Sequence, residues 1–302
     1  MRPDPIKQAA VNIAGASLRL VFLICITMTA FAANSILGRM ALGSQAIDPA
    51  GYTLVRLTSG AVMLALMIWW RNSREANRPS LFSRIPGTWT SAAALFAYAI
   101  TFSLGFVRID TGAGTLIQFA CVQCTMIGWG IMRGERLTAF ELTGLGIASG
   151  AMIWLFSPGI AAPDLPGSLF IGASGIAWGI YSLRGRGQPD PLAATGGNFI
   201  RTVPMAIVLL AVLIDQFEPT LRGVLLAATS GAITSAMGYA LWYRVLKDLS
   251  ATRGAIVQFS VPIIAAAGGV ALMGEELTFR LVVSGTLILG GVALAILAKQ
   301  RR

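Results

Sequence analysis

Residues 114–138 read GTLIQFACVQCTMIGWGIMRGERLT, and residues 254–278 read GAIVQFSVPIIAAAGGVALMGEELT. The two stretches align without a gap and share Gly, Gln-Phe, Gly, Gly-Glu and Leu-Thr, eight of twenty-five positions. A second pair lies nearer the start of each half: AFAANSILGR at 30–39 matches AWGIYSLRGR at 177–186, keeping Ala, Ser, Gly and Arg in register with an aromatic at the second place. Asp48-Pro49 and Asp190-Pro191 follow those motifs and open the next apolar segments, with Pro in the first helical turn, where its missing N–H leaves no bond unmade. The chain is a duplication of one half. If each half crosses a membrane an odd number of times, the halves must be inverted relative to each other, an arrangement that serves solute carriers.

Composition places the chain in a membrane. Hydrophobic residues make up 55% of the 302 and charged residues only 12%, with a mean hydropathy of +0.72, too little polar surface for a soluble fold. The apolar runs suit helices crossing about 30 Å of hydrocarbon, each needing about 20 residues. Ten spans are predicted, at 18–41, 49–70, 88–108, 112–132, 138–156, 166–183, 191–213, 222–245, 252–273 and 279–298. The ten-residue alternation of a β-barrel is absent. The predicted class is an all-α integral membrane protein of two five-helix inverted repeats: a cytoplasmic segment 1–17, a first repeat 18–156, a second repeat 157–298 and a basic tail 299–302.

The net charge of +10 reports topology rather than nucleic-acid binding. With the N-terminus in the cytoplasm, Arg56 and Arg201 fall inside spans, Arg39, Arg108, Arg222 and Arg280 fall outside the cell, and the other seventeen basic residues fall inside it. Both termini are then cytoplasmic. Ala30-Phe31-Ala32 imitates a signal-peptidase site, but its place in the repeat argues that the first span is retained.

The stretches AFAANSILGRMAL, DPAGYTLVRLTSG, GERLT, GIAWGIYSLRGR, GYALWYRVL and VQFSVPIIAAAGGVALMGEELT resemble the drug/metabolite transporter superfamily, specifically the EamA-type ten-helix transporters of bacteria. The resemblance runs from about residue 18 to 298. It implies alternating access around a central cavity in the bacterial inner membrane, often for export of amino acids or other small metabolites. The Trp-Gly common in the first span of each half is present as Trp178-Gly179 and absent from the first half, and Pro262 faces Val122 in the repeat. The glutamate that small multidrug exporters of the superfamily carry in their first span has no counterpart here.

A charge inside a membrane costs a few kcal/mol and marks a functional candidate. Arg56 lies seven residues into span 2 and Arg201 ten residues into span 7; either guanidinium offers a forked donor to a carboxylate or phosphate. The competing account for Arg56 is snorkelling or bonding to helix-end carbonyls, and Arg201 is taken as the deeper of the two. Gln118 and Gln258 are repeat mates, expected on opposite halves of one cavity, against a plain helix-to-helix hydrogen-bonding role. Asn34, Asn198, Gln123 and Ser260 are weaker candidates. Trp178, Tyr181, Tyr98, Tyr239, Trp242 and Tyr243 lie deep enough to line a pocket, with core packing as the alternative. Trp69, Trp70, Trp89, Trp129 and Trp154 read as interfacial belt.

No Asp or Glu falls near mid-membrane and the chain has no histidine, so uniport or substrate exchange is simpler than proton coupling, for which only Glu135 and Glu275 at span ends would be at hand. Cys121-Val-Gln-Cys124 lacks a second pair and reads as packing. No cofactor or metal is expected. The expected partners are a small-molecule substrate and the lipid bilayer, with no nucleic acid, in a monomer or homodimer. An enzyme would need a nucleophile with a base or a metal cage, which these residues do not assemble. A lipid scramblase or regulatory subunit is the alternative to a carrier.

Overall fold

The computed structural model describes residues 5–74, 86–109, 111–134, 137–156, 164–273 and 279–297. Glu135 and Glu275 of the repeated Gly-Glu turns lie outside them, as do Arg2, Arg78, Arg84, Arg136, Lys299, Arg301 and Arg302. The described residues are helical, without strands. They form α1 (Pro5–Leu42), α2 (Pro49–Ser73), α3 (Trp89–Arg108), α4 (Thr111–Met132), α5 (Ala139–Phe156), α6 (Leu165–Gly185) and α7 (Pro191–Val212). After a 3-10 turn come α8 (Leu221–Thr229), a π-helical segment (Ser230–Met237) and α9 (Gly238–Leu246), which follow one another without a break, then α10 (Ala251–Gln258), α11 (Ser260–Met273) and α12 (Phe279–Leu297).

Among the described residues, five stretches are long and apolar enough to cross a membrane: Leu18–Leu42, Pro49–Ser73, Trp89–Arg108, Pro191–Val212 and Leu221–Leu246. Shorter apolar helices run over Ile117–Met132 and Arg253–Ala265. Val62, Leu66, Ile207, Val208, Leu225 and Ile233 are all exposed, a surface suited to lipid and not to water.

Helix starts are written in the sequence. Asp48 caps α2 by accepting the Gly51 N–H at 2.8 Å, and Asp190 caps α7 by accepting that of Ala193 at 3.1 Å, each with Pro in the first turn. Asp164 does the same for α6, and Thr88 and Thr220 cap α3 and α8. Two features depart from the predicted spans. α1 begins at Pro5, well before residue 18. The stretch predicted as one span over 252–273 is divided at Phe259. Pro262 explains the division, because it cannot donate to the Gln258 carbonyl four residues back and its ring crowds that oxygen. α4 carries Val122 at the matching place and runs unbroken.

The helices pack in a definite set of pairs: α3 and α4 each lie on α6, α2 lies on α7 and on the π segment, α1 lies on α9, α11 and the π segment, α4 on α10, and α5 on α12. The α2 contact with the π segment is close enough that Gly231 has no substitute, since a Cβ there would run into the Arg56 carbonyl and the Ser59 hydroxyl. That approach carries the hydroxyls of the π segment to the side chain of Arg56.

Candidate functional site: a central cavity beside a buried arginine

Where α1, α3, α4, α6 and α9 meet they border a cavity of about 20 Å³, lined by Phe31, Asn34, Ser35, Tyr98, Gln118, Phe119, Val122, Trp178 and Tyr239. That is room for about one water molecule. Phe31 and Trp178, matching residues of the two repeated motifs, meet edge to face with ring centroids 5.2 Å apart. Trp178 also packs on Tyr98 and Tyr239, at 5.1 and 4.6 Å.

Arg56 stands directly behind Tyr98 and Tyr239. It is 1% exposed. Its Nη2 donates to the Tyr239 hydroxyl at 2.6 Å and to the Tyr98 hydroxyl at 3.0 Å, and its Nε donates to Ser235 Oγ at 3.0 Å. Its guanidinium also sits over the rings of Tyr98 and Phe102, 5.1 and 5.2 Å from their centroids. The third nitrogen, Nη1, is buried with no hydrogen-bond partner. Among the described residues Arg56 meets no carboxylate, whereas Arg71 pairs with Asp190, Arg108 with Asp164 and Arg253 with Glu141.

Asn34 gathers the hydroxyls on the other side. Its Oδ1 accepts from Ser230 Oγ at 2.6 Å and from Thr234 and Ser235 at 3.3 Å, and its Nδ2 donates to Tyr98 at 3.4 Å. Tyr52 extends the network by donating to Ser230 at 3.0 Å. The π segment makes this possible, because its wider turn brings Ser230, Thr234 and Ser235 to face one acceptor. Extra residues of this kind in a helix often mark working sites.

Apart from Arg56, the ten candidate residues separate into three groups. Asn34, Tyr98, Gln118, Trp178 and Tyr239 line the cavity. Gln258, Tyr181 and Trp242 form its backing: Gln258 Oε1 accepts from the Trp178 indole at 2.8 Å, Trp242 donates to Ser182 at 3.0 Å, and Tyr181 stacks behind Trp178. Arg201 and Asn198 sit elsewhere, at the start of α3. Arg201 Nη1 donates to the carbonyls of Pro86 at 2.5 Å and Gly197 at 2.9 Å, and Asn198 Oδ1 accepts the Thr88 N–H at 3.0 Å. Position along α7 put Arg201 at mid-depth, yet α3 begins at its side, so its guanidinium reaches a helix-start carbonyl. The fate foreseen for Arg56 belongs to Arg201, and Arg56 is the one at the centre.

Gln118 and Gln258 are both buried but not equivalent. Gln118 is in the cavity wall and donates to Ser174 at 3.0 Å, while Gln258 stands one layer back. The indole of Trp178 has an N–H for Gln258 to accept; Phe31, the matching ring, has none, so Gln118 bonds elsewhere. Gln123 is buried with neither amide atom bonded, and Ser260 donates to the Val257 carbonyl. Cys25 and Cys124 are exposed and Cys121 half-buried, all three free thiols, and no metal-holding cluster occurs among the described residues.

Sequence reasoning passed over Ser230, Thr234 and Ser235. The i, i+4 and i+5 spacing of Ser230, Thr234 and Ser235 in a mostly apolar span was the available signal. Phe31 could have been found from its match to Trp178.

Helices with apolar outer faces around a buried polar centre define a multi-pass membrane protein. Residues 165–297 match the model of the EamA-like transporter family. PA1977, an uncharacterized protein of Pseudomonas aeruginosa, is 44% identical over 94% of this chain and 96% of its own length. An uncharacterized transporter of Archaeoglobus fulgidus is 22% identical over 93% of this chain and 98% of its own, and the uncharacterized transporter YoaV of Bacillus subtilis is 20% identical over 87% and 92%. A crystal structure at 17% identity superposes with a TM-score of 0.74, covering 94% of this chain and 99% of the other. The chain belongs to the EamA-like transporter family of the drug/metabolite transporter superfamily.

Proposed function

We propose that the protein exports a small organic anion or an amino acid across the bacterial inner membrane by alternating access, with Arg56 holding the anionic group. One observation carries this reading: a fully buried guanidinium with an unbonded Nη1 and, among the described residues, no carboxylate beside it. A buried charge is tolerated where something neutralises it. Hydroxyls supply dipoles but no charge, and a substrate carboxylate or phosphate would supply the rest, in the forked geometry that suits guanidinium. Asn34, Tyr98, Gln118, Trp178 and Tyr239 would hold the remainder of the molecule, after the cavity widens to admit it. Outward direction is what the EamA resemblance implies.

The architecture that goes with this reading is ten spans in two inverted repeats, 18–156 and 157–298, between cytoplasmic termini. The packing pairs support it. Exchanging the halves turns the α3–α6 contact into that of α1 with the stretch α8 to α9, and the α4–α6 contact into α1–α11, while α2–α7, α4–α10 and α5–α12 map onto themselves. Reporter fusions test it: one after Asp164 should report the external side and one after Arg186 the cytoplasm. Both on the same side would remove the five-plus-five arrangement.

The function is tested by comparing metabolites in the medium of deletion and overexpressing strains, then measuring counterflow of the enriched compounds in proteoliposomes. Compounds bearing a carboxylate or phosphate should exchange. Counterflow confined to cations, or none for any compound that accumulates, would overturn the proposal.

A further inference from the structure

A second basic site lies away from the central cavity, at the end of the bundle where α2 and α9 finish and α7 begins. There α1, α2, α7 and α9 border a groove of about 710 Å³, and four cations converge on it, Arg19, Arg71, Arg244 and Lys247, against a single carboxylate, Asp190. That carboxylate is already committed: Arg71 grips both its oxygens at 2.8 Å. Lys247 donates to the Pro189 carbonyl at 2.9 Å and remains exposed. Arg19 and Arg244 are exposed, with no ion pair among the described residues.

Below Arg19, Arg71 and Arg244 the same groove becomes apolar. Leu23 follows Arg19 by one turn on α1, Met67 precedes Arg71 by one turn on α2, and Met237 and Leu241 precede Arg244 on the π segment and α9. One helical turn is about 5.4 Å, so positive charge gives way to hydrocarbon over about the distance at which a phospholipid passes from headgroup to acyl chain. Topology alone asks only for cations somewhere on the cytoplasmic rim. It does not ask for four of them over one shared groove with a continuous apolar floor.

We infer that this groove holds an anionic phospholipid of the cytoplasmic leaflet, its phosphate between Arg19 and Arg244 and an acyl chain along Leu23, Met67 and Leu241. Anionic headgroups are what basic pockets between membrane helices select. The cytoplasmic placement depends on the orientation proposed above; the lipid class depends only on the groove. Such a lipid joins α1 to α9, two of the helices that line the central cavity.

Native mass spectrometry of the purified full chain, titrated with phosphatidylglycerol or phosphatidylcholine, tests the assignment. One phosphatidylglycerol should be retained at concentrations where phosphatidylcholine is not. Arg19→Gln/Arg244→Gln should weaken that retention at least tenfold, with each single variant weakening it severalfold in case the pair does not assemble. Arg133→Gln, a cation elsewhere on the same rim, should leave it unchanged. Equal retention of phosphatidylcholine, undiminished retention in the variants, or an equal loss in Arg133→Gln would overturn the site. Displacement of the lipid by millimolar inorganic phosphate would also overturn it, in favour of a free-anion site. Since none of these residues touches the central cavity, counterflow can fail without altering this result.

Discussion

Arg56→Met should weaken transport of the anionic substrate by roughly tenfold to a hundredfold in apparent affinity while leaving the protein as stable as the wild type or more so. The size follows from the loss of a charge-assisted contact, about 1.5 to 3 kcal/mol. The sign on stability follows from burial. Replacing a buried charge by an apolar side chain of similar volume is often neutral or stabilising, and the hydroxyls Arg56 leaves behind have other partners: Tyr239 already donates to Tyr98 at 3.2 Å, and Ser235 already donates to Asn34. Arg56→Lys keeps the charge and loses the fork, and should fall between the two. Counterflow in proteoliposomes reads the affinity and thermal melting in detergent reads the stability. Full transport by a well-folded Arg56→Met protein would remove Arg56 from the substrate site. A loss of folding along with activity would make it a structural residue.

Helix boundaries were legible because caps are local chemistry. Asp48-Pro49 and Asp190-Pro191 predict the starts of α2 and α7, and the structure has both aspartates bonded to the first turn. The π segment was not legible, since an i to i+5 pattern leaves no signature in residue types; Ser230–Met237 reads as part of an ordinary span. Pro262 was visible as an unmatched residue, but its effect, the division at Phe259, needed the backbone.

The site was legible where residue type sufficed. Asn34, Tyr98, Gln118, Trp178 and Tyr239 are polar or amphipathic groups deep in apolar spans, and they line one cavity. The ranking of the two arginines was not legible, because sequence gives depth along a helix and not the neighbour across from it. Arg201 is beside the start of α3 and reaches the Pro86 carbonyl, whereas Arg56 faces the π segment, where hydroxyls replace carbonyls. The inequality of Gln118 and Gln258 has the same origin: the repeat makes them mates, but Phe31 and Trp178 differ by one N–H, and that decides which amide is left in the cavity wall.

Asn34→Asp should reduce anionic substrate affinity at least tenfold and raise the melting temperature, two effects of opposite sign from one atom change. Ser230, Thr234 and Ser235 all donate to Asn34 Oδ1 and can go on donating to a carboxylate. Tyr98, which now accepts from Asn34 and Arg56, would turn its own hydrogen toward the new oxygen. Asn34 and Arg56 share Tyr98 and Ser235 as partners, so the substitution gives the guanidinium a counter-charge across a single hydroxyl. At an effective dielectric of about 20, such a pair is worth about 3 kcal/mol. The carboxylate would thereby do within the protein what the substrate does in the proposed cycle, and it would repel an incoming anion. Asn34→Gln, which changes length and not charge, separates this effect from disturbed packing: it should lower both stability and transport. If Asn34→Asp transported the anionic substrate as well as the wild type does, the buried positive charge would not be what binds it, and recognition would have to lie with Gln118 and the aromatic wall.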